Sequence, residues 1–315
     1  MVLEPLLYGR SAGVSQVALL IAIAFWTWLW GPIGLLLATP LTVCIAVLGR
    51  NVPQLEALGI LLGDEPVLEP SATYYQRLIA GDEEEAMDIA EEESRKRSTV
   101  EVYDRVLIPA LVTARRDLAA ERIGPEDERF ILENTRYAVE ELAGRQRKEA
   151  EQAGETDAGS QPGTESAGPP LKVLACAARG EADEIALQML GQLFQGTRVR
   201  FRIASSRLLA AELVTLCGED QPDVVCLAAL PPGGLAQARY LLKRLRAECG
   251  VPRVIVGRWG LKPGRERSRE ALDAAGADHV DSTLAATREQ ILGMVPLETS
   301  DTIPPASPAP RAASR

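Results

Sequence analysis

Histidine is nearly absent from this chain: His279 is the only one. A histidine-based zinc site or a Ser-His-Asp triad would have to draw on that single imidazole. The five cysteines (Cys44, Cys176, Cys217, Cys226 and Cys249) include no CxxC pair, and their number is odd. They read as small buried hydrophobes in a reducing compartment, not as a disulfide framework. No GxGxxG follows the first strand of the α/β region and no GxxxxGK[ST] occurs anywhere, so the usual phosphate-cradling loops are missing. A net charge of -10 without a basic stripe excludes an ordinary nucleic-acid interface. No nucleophile–base pair and no metal-ligand cluster is visible. The expectation is a non-enzyme without metal or cofactor.

Charge is missing from one long stretch. Between Arg10 and Arg50 lie 39 consecutive uncharged residues. One bilayer span needs about 20 residues, so the stretch has the length of two. Gly31-Pro32, followed by Gly34, breaks it in the middle. The reading is a hairpin of spans over 11–30 and 33–49. Trp26, Trp28 and Trp30 beside the turn suit a membrane–water interface, where the ring meets lipid and the N–H meets water. Arg10 and Arg50 would share the opposite face, which positive flanks assign to the cytoplasm. The alternative is a buried helix pair of a soluble protein. Glu4 and the absence of a basic start argue against a signal peptide. Pro40 frees a carbonyl in the second span, which a neighbouring helix, a threonine or water must satisfy.

Several segments in order, "VLEPLLYGRSAGVS", "WGPIGLLLATPLTV", "VLGRNVPQL", "LLGDEPVLEP" and "YYQRLIAGDEEEA", resemble the C-terminal end of the AI-2E family of transporters. The resemblance covers roughly residues 1–120. It implies a multi-span permease proposed to export a small signal molecule or to exchange cations for protons. Only the final two spans of such a protein would match, so the resemblance implies a fragment or a truncated paralogue. On this resemblance the transport motif comprises Glu4, Pro5 and Gly9 in the loop, and Gly31, Pro32, Gly34 and Pro40 in the hairpin. An acid such as Glu4 near a membrane cavity suits a cation or proton, or else is a solvated loop charge. The glycines suit close helix packing. The implied setting is the inner (plasma) membrane, with both termini and the soluble part cytoplasmic. The implied partners are the lipid bilayer and other membrane helices or copies of the chain.

Residues 51–145 read as a small helical segment, packed beneath the hairpin or on copies of itself. A short helix over 73–80 closes at Gly81. "DEEEAMDIAEEESRKR" then puts acids first and bases last, which complements the helix dipole. Ser98 or Thr99 caps the next helix, Pro109 should kink it, and Gly124-Pro125 starts another that ends near Gly144. Residues 146–170 are rich in Gly, Glu, Ser and Pro and read as a disordered linker; 296–315 read as a disordered tail.

Between them, 171–295 alternate five strand patterns with helical ones, which implies a parallel sheet. Flavodoxin-like order 2-1-3-4-5 is expected. The fold class is therefore a membrane helical hairpin and a small helical segment, linked to a soluble α/β flavodoxin-like domain. Ligands enter such sheets at the carboxyl ends of the strands. The candidate ligand loops there carry Arg179, Ser205, Arg207, Gly233, Gly234 and Arg258. The three arginines suit an anion, and Gly233-Gly234 permits close backbone approach. A cobalamin binder would need a DxHxxG pattern after the first strand, and a response receiver an aspartate ending the third; neither is present. The small-molecule ligand of this domain is left unnamed. Two functions stay open: the terminal part of a transporter with a cytoplasmic regulatory domain, or a membrane-tethered sensor or interaction protein.

Overall fold

Gly31 divides the apolar stretch as its sequence requires. Its φ of +61° ends one helix, α1 (Gln16–Trp30), and the chain re-enters another, α2 (Pro32–Asn51). The computed structural model describes residues 16–51, 69–155, 169–250, 253–261 and 266–295; within helices, the side chains of 16–17, 46–51, 149–155 and 266 lie outside that description. It forms two compact units, divided between Glu69 and Pro70.

In the hairpin unit, Gly34 does what a side chain would forbid: a Cβ there would lie 1.9 Å from the Trp26 carbonyl oxygen. The two helices meet backbone to backbone at that point. Helix α2 runs on through Pro40, and the Thr42 hydroxyl donates to the Ala38 carbonyl at 2.6 Å. The outer surface is strongly apolar, with Trp28 82% and Leu36 80% exposed. Among the described residues no helix is long and apolar enough to cross a membrane.

The second unit opens with α3 (Pro70–Ile79), closed by Gly81 at φ +76°, and α4 (Glu83–Lys96). Asp82 caps α4, its side chain accepting from the Glu85 N–H at 3.2 Å. Next come α5 (Thr99–Val102), a π-helical turn (Tyr103–Leu107) and α6 (Ile108–Ala119). Ser98 is the cap: its N–H and hydroxyl both donate to the Glu101 carboxylate. The kink expected at Pro109 is that π turn, in which the Ile108 N–H reaches back to the Tyr103 carbonyl. Proline lacks the donor that would hold the regular ladder at the next position. Helix α7 (Pro125–Glu155) does not stop near Gly144; it runs 31 residues, through ten positions assigned above to the linker. Residues 156–168 lie outside the described ones.

Five parallel strands follow: β1 (Leu171–Ala177), β2 (Val199–Ala204), β3 (Val224–Ala228), β4 (Arg253–Gly257) and β5 (His279–Asp281). They lie in the expected order 2-1-3-4-5. Strand β3 is buried at every residue, as a central parallel strand should be. The connecting helices are α8 (Glu181–Gln192), α9 (Ala210–Asp220), α10 (Leu235–Cys249), α11 (Glu266–Asp273) and the terminal α12 (Leu284–Leu292).

Alternate strand residues face two separate cores. Leu174, Cys176, Val225, Leu227 and Val256 pack with α9, α10 and α11. Val173, Ala175, Cys226 and Ile255 belong to one continuous core with α8, α12 and the buried faces of α3 to α7. The helical segment was expected under the hairpin or on copies of itself. Its apolar stripe, Val106, Leu107, Ile108 and Leu111 among others, is buried in one core with the sheet.

Candidate functional site

Strand β2 lies beside β1 and β4 beside β3, so the connections reverse direction between β1 and β3. In an open parallel sheet this is where a ligand enters. The loop leaving β1 is Ala178-Arg179-Gly180; the loop leaving β3 runs from Ala229 to Gly234 and contains a cis Pro231-Pro232 bond.

One side chain sits between them. Asp183, in the first turn of α8, is fully buried. Its carboxylate accepts from the Leu230 N–H at 2.9 Å and from the Arg179 N–H at 3.0 Å. Arg115 of α6 donates to it at 2.6 Å and also to the Leu230 carbonyl at 3.2 Å. Backbone N–H groups and a cation at this position are what an anionic ligand would use. Here the chain supplies the anion itself.

The candidate loop residues divide into two sets. Arg179, Gly233, Gly234 and Arg258 come together around the β3 loop. Arg179 donates to the Pro232 carbonyl at 3.3 Å, and a Cβ on Gly233 would lie 2.7 Å from its guanidinium. Arg258, almost wholly buried, donates from one nitrogen to the Ala229 and Gly233 carbonyls, both at 2.7 Å. Gly234 starts α10 at φ +71°. Ser205 and Arg207 instead form a local turn after β2, where the Arg207 N–H donates to the Ser205 hydroxyl at 3.3 Å. Arg179 and Arg258, named above for an anion, both reach carbonyls of the β3 loop.

The ends of β4 and β5 are covered too. Trp259 follows β4 directly and is fully buried, its indole N–H donating to the Thr287 hydroxyl at 2.9 Å. Gly257 makes room for that ring; a Cβ would come within 2.3 Å of it. Gly260 turns at φ +74° against α6, where a Cβ would meet Val112 at 2.9 Å. Asp104, in the π turn, accepts from the Leu284 and Ala285 N–H groups at 2.7 and 3.1 Å and so caps α12 from another part of the chain. Burial pushes the Asp104 carboxyl above its ordinary value, against the lowering effect of those two donors. Burial likewise raises Asp281, next to the same loop.

Asp183, Arg115 and Asp104 escaped the sequence reading. Asp183 stands among Glu181 and Glu184, where first-turn acids are expected for the helix dipole alone. Nothing in the local pattern distinguishes the one that is buried.

No family model matches the chain. A Borreliella burgdorferi protein that carries a transport-protein name is 39% identical over 67 residues, 21% of this chain and 18% of that protein. The AI-2 transport protein TqsA of Escherichia coli K12 is 35% identical over 63 residues, 20% of this chain and 18% of its own length. A Haemophilus influenzae protein named for transport is 33% identical over 63 residues, with the same coverage. A fifth of the chain is thus related to transport proteins of the AI-2E kind, and the chain spans under a fifth of their length. Among solved structures, the monomethylamine corrinoid protein of Methanosarcina barkeri is 11% identical with a TM-score of 0.49, over 70% of this chain and 96% of that one. A cobalamin-binding protein of Desulfitobacterium hafniense is 14% identical with a TM-score of 0.35, over 72% of this chain and 98% of its own.

Proposed function

We propose that this chain is part of an AI-2E-like membrane transport system, and that its second unit is an attached interaction module. The observation that carries the first half is the identity of 33–39% over a fifth of the chain to proteins named for transport. The hairpin supports it: Leu20, Ile21, Trp28, Ile33 and Leu36 all expose more than half of their surface. An apolar surface of that extent is suited to lipid or to neighbouring membrane helices. On this reading the chain sits at the inner (plasma) membrane with the second unit in the cytoplasm. Two helices do not enclose a solute path, so transport of a small signal molecule or a cation would need further helices, from copies or from other chains.

The filled crevice favours one form of the second reading, a membrane-tethered interaction protein, over a small-molecule sensor. A sensor needs an open site at the strand ends. Asp183, Arg115 and Leu230 take that space. No catalytic role is assigned. The test is fractionation of the full chain. Resistance of the 33.9 kDa chain to carbonate extraction from membranes, lost on Leu20→Lys with Leu36→Lys, is expected. Recovery of the unaltered chain in the soluble fraction alone would overturn the membrane half of the proposal.

A further inference from the structure

Helices α4 and α7 leave a groove of about 730 Å³ on the outside of the second unit. Met87, Phe130 and Tyr137 line it, with Tyr137 59% exposed. Four carboxylates surround them: Glu83, Glu84, Asp88 and Glu133. Other acids of α4 are paired, Glu85 with Arg77, Glu91 with Arg145, Glu92 with Lys96 and Glu93 with Arg97. The four at the groove make no hydrogen bond or ion pair among the described residues.

The opposite pattern lies on α10. Its outward stripe is Ala236, Arg239, Tyr240, Lys243 and Ala247, all exposed. Tyr240 is 57% exposed and accepts from Arg244 at 3.3 Å. Arg239 and Lys243 have no partner among the described residues. In a chain of net charge -10 this is an unusual basic ridge, with an aromatic ring at its middle and small residues at its ends.

The two surfaces belong to opposite faces of one sheet. Helices α4 and α7 share the core of Val173, Ala175 and Cys226. Helix α10 shares that of Leu174, Val225 and Leu227. A single copy therefore cannot bring its own ridge to its own groove. We infer that the occupant of the groove is the α10 ridge of a second copy of this chain. Tyr240 enters between Phe130 and Tyr137, and Arg239 and Lys243 meet the four carboxylates. A ridge of one helix seated between two others is ordinary helix packing, and an aromatic anchor in a charged rim is the common build of an interface centre. Groove and ridge are different surfaces, so the association is head-to-tail.

The test is the protein mass of the full chain by light scattering, over a range of concentrations and salt. Two charge-reversed chains accompany it, Arg239→Glu with Lys243→Glu, and Glu84→Lys with Glu133→Lys. All four positions are exposed, and far-UV circular dichroism checks that each chain stays folded. Each reversed chain alone should associate about tenfold more weakly than the unaltered one, and a mixture of the two should recover association, since the acidic ridge of one fits the basic groove of the other. Association of the unaltered chain should weaken with salt. A chain that stays monomeric, reversed chains that associate as the unaltered one does, or a mixture that fails to recover would each overturn the inference.

Discussion

Asp183→Asn changes one oxygen to an amide nitrogen and leaves the shape of the side chain intact. Its effect is therefore electrostatic and hydrogen-bonded rather than steric. The carboxylate accepts from Arg115, Leu230 and Arg179, and the pair is nearly dry, with side-chain exposures of 9% for Arg115 and 0% for Asp183. Asparagine retains one acceptor and presents an NH₂ to a site built from donors. The Arg115 guanidinium is left buried without its counter-charge. Breaking a buried pair from one side costs about 3–5 kcal/mol. A backbone N–H stranded against the new amide adds about 1–3 kcal/mol, though the two costs overlap because the site relaxes as a whole. A loss of roughly 4 kcal/mol is expected, a large part of the 5–15 kcal/mol typical of a whole domain. Urea denaturation of the full chain followed by far-UV circular dichroism measures it. With a slope of about 2–3 kcal/mol/M the midpoint should fall by roughly 1.5 M. Arg115→Met should cost less, because Asp183 keeps both backbone donors. A loss under about 1 kcal/mol for Asp183→Asn would mean that water screens the pair, as at a surface, and the account of a filled crevice would fail.

Other perturbations follow from the same packing. Gly257→Ala puts a methyl group into the Trp259 ring, and overpacking of this kind costs about 1–3 kcal/mol; in a chain whose hairpin tryptophans are phenylalanine, Trp259 emission should shift to the red, and an unchanged spectrum would refute the contact. Asp104 is held above the ordinary aspartate pKa by burial, so the folded chain keeps its proton to higher pH than the unfolded one. Its contribution is full at low pH and declines as pH rises from the ordinary value through the folded one. Asp104→Asn should flatten that decline in a series of acidic urea titrations; an unchanged slope would refute it. Burial pushes the Cys176 thiol up to about 12 and raises Cys226 as well. Iodoacetamide near neutral pH should label neither until denaturant is added, as peptide mass mapping would report.

The sheet was readable because periodicity and the turn residues agreed at every step. "DVVCLAAL" is apolar throughout because both of its faces are covered, and alternation of strands and helices implied a parallel sheet, for which 2-1-3-4-5 was the expected order. The π turn was half readable: Pro109 marked a disturbed ladder, but only the Tyr103 carbonyl shows how the ladder is repaired. Gly144 misled, because a glycine inside a helix costs about 1 kcal/mol without ending it. The buried set at the strand ends was hidden for a different reason. Arg115 and Asp183 are 68 residues apart, and each looks like an ordinary helix charge until the fold joins them. Arg179 and Arg258 were legible because loops after strands are easy to identify; that they also reach the chain's own carbonyls was not. Glu4, Pro5 and Gly9 lie outside the described residues.

The continuous core of α3 to α7 with the sheet bears on how the molecule can be cut. A deletion of residues 146–315, the natural experiment for separating transport from regulation, would strip Ile131, Val139, Leu107 and Leu111 of their cover and leave an adhesive surface on the remaining chain. Any change seen in such a truncation would report on aggregation as much as on regulation. The clean boundary is the one between Glu69 and Pro70. Removed there, the second unit leaves with its core whole.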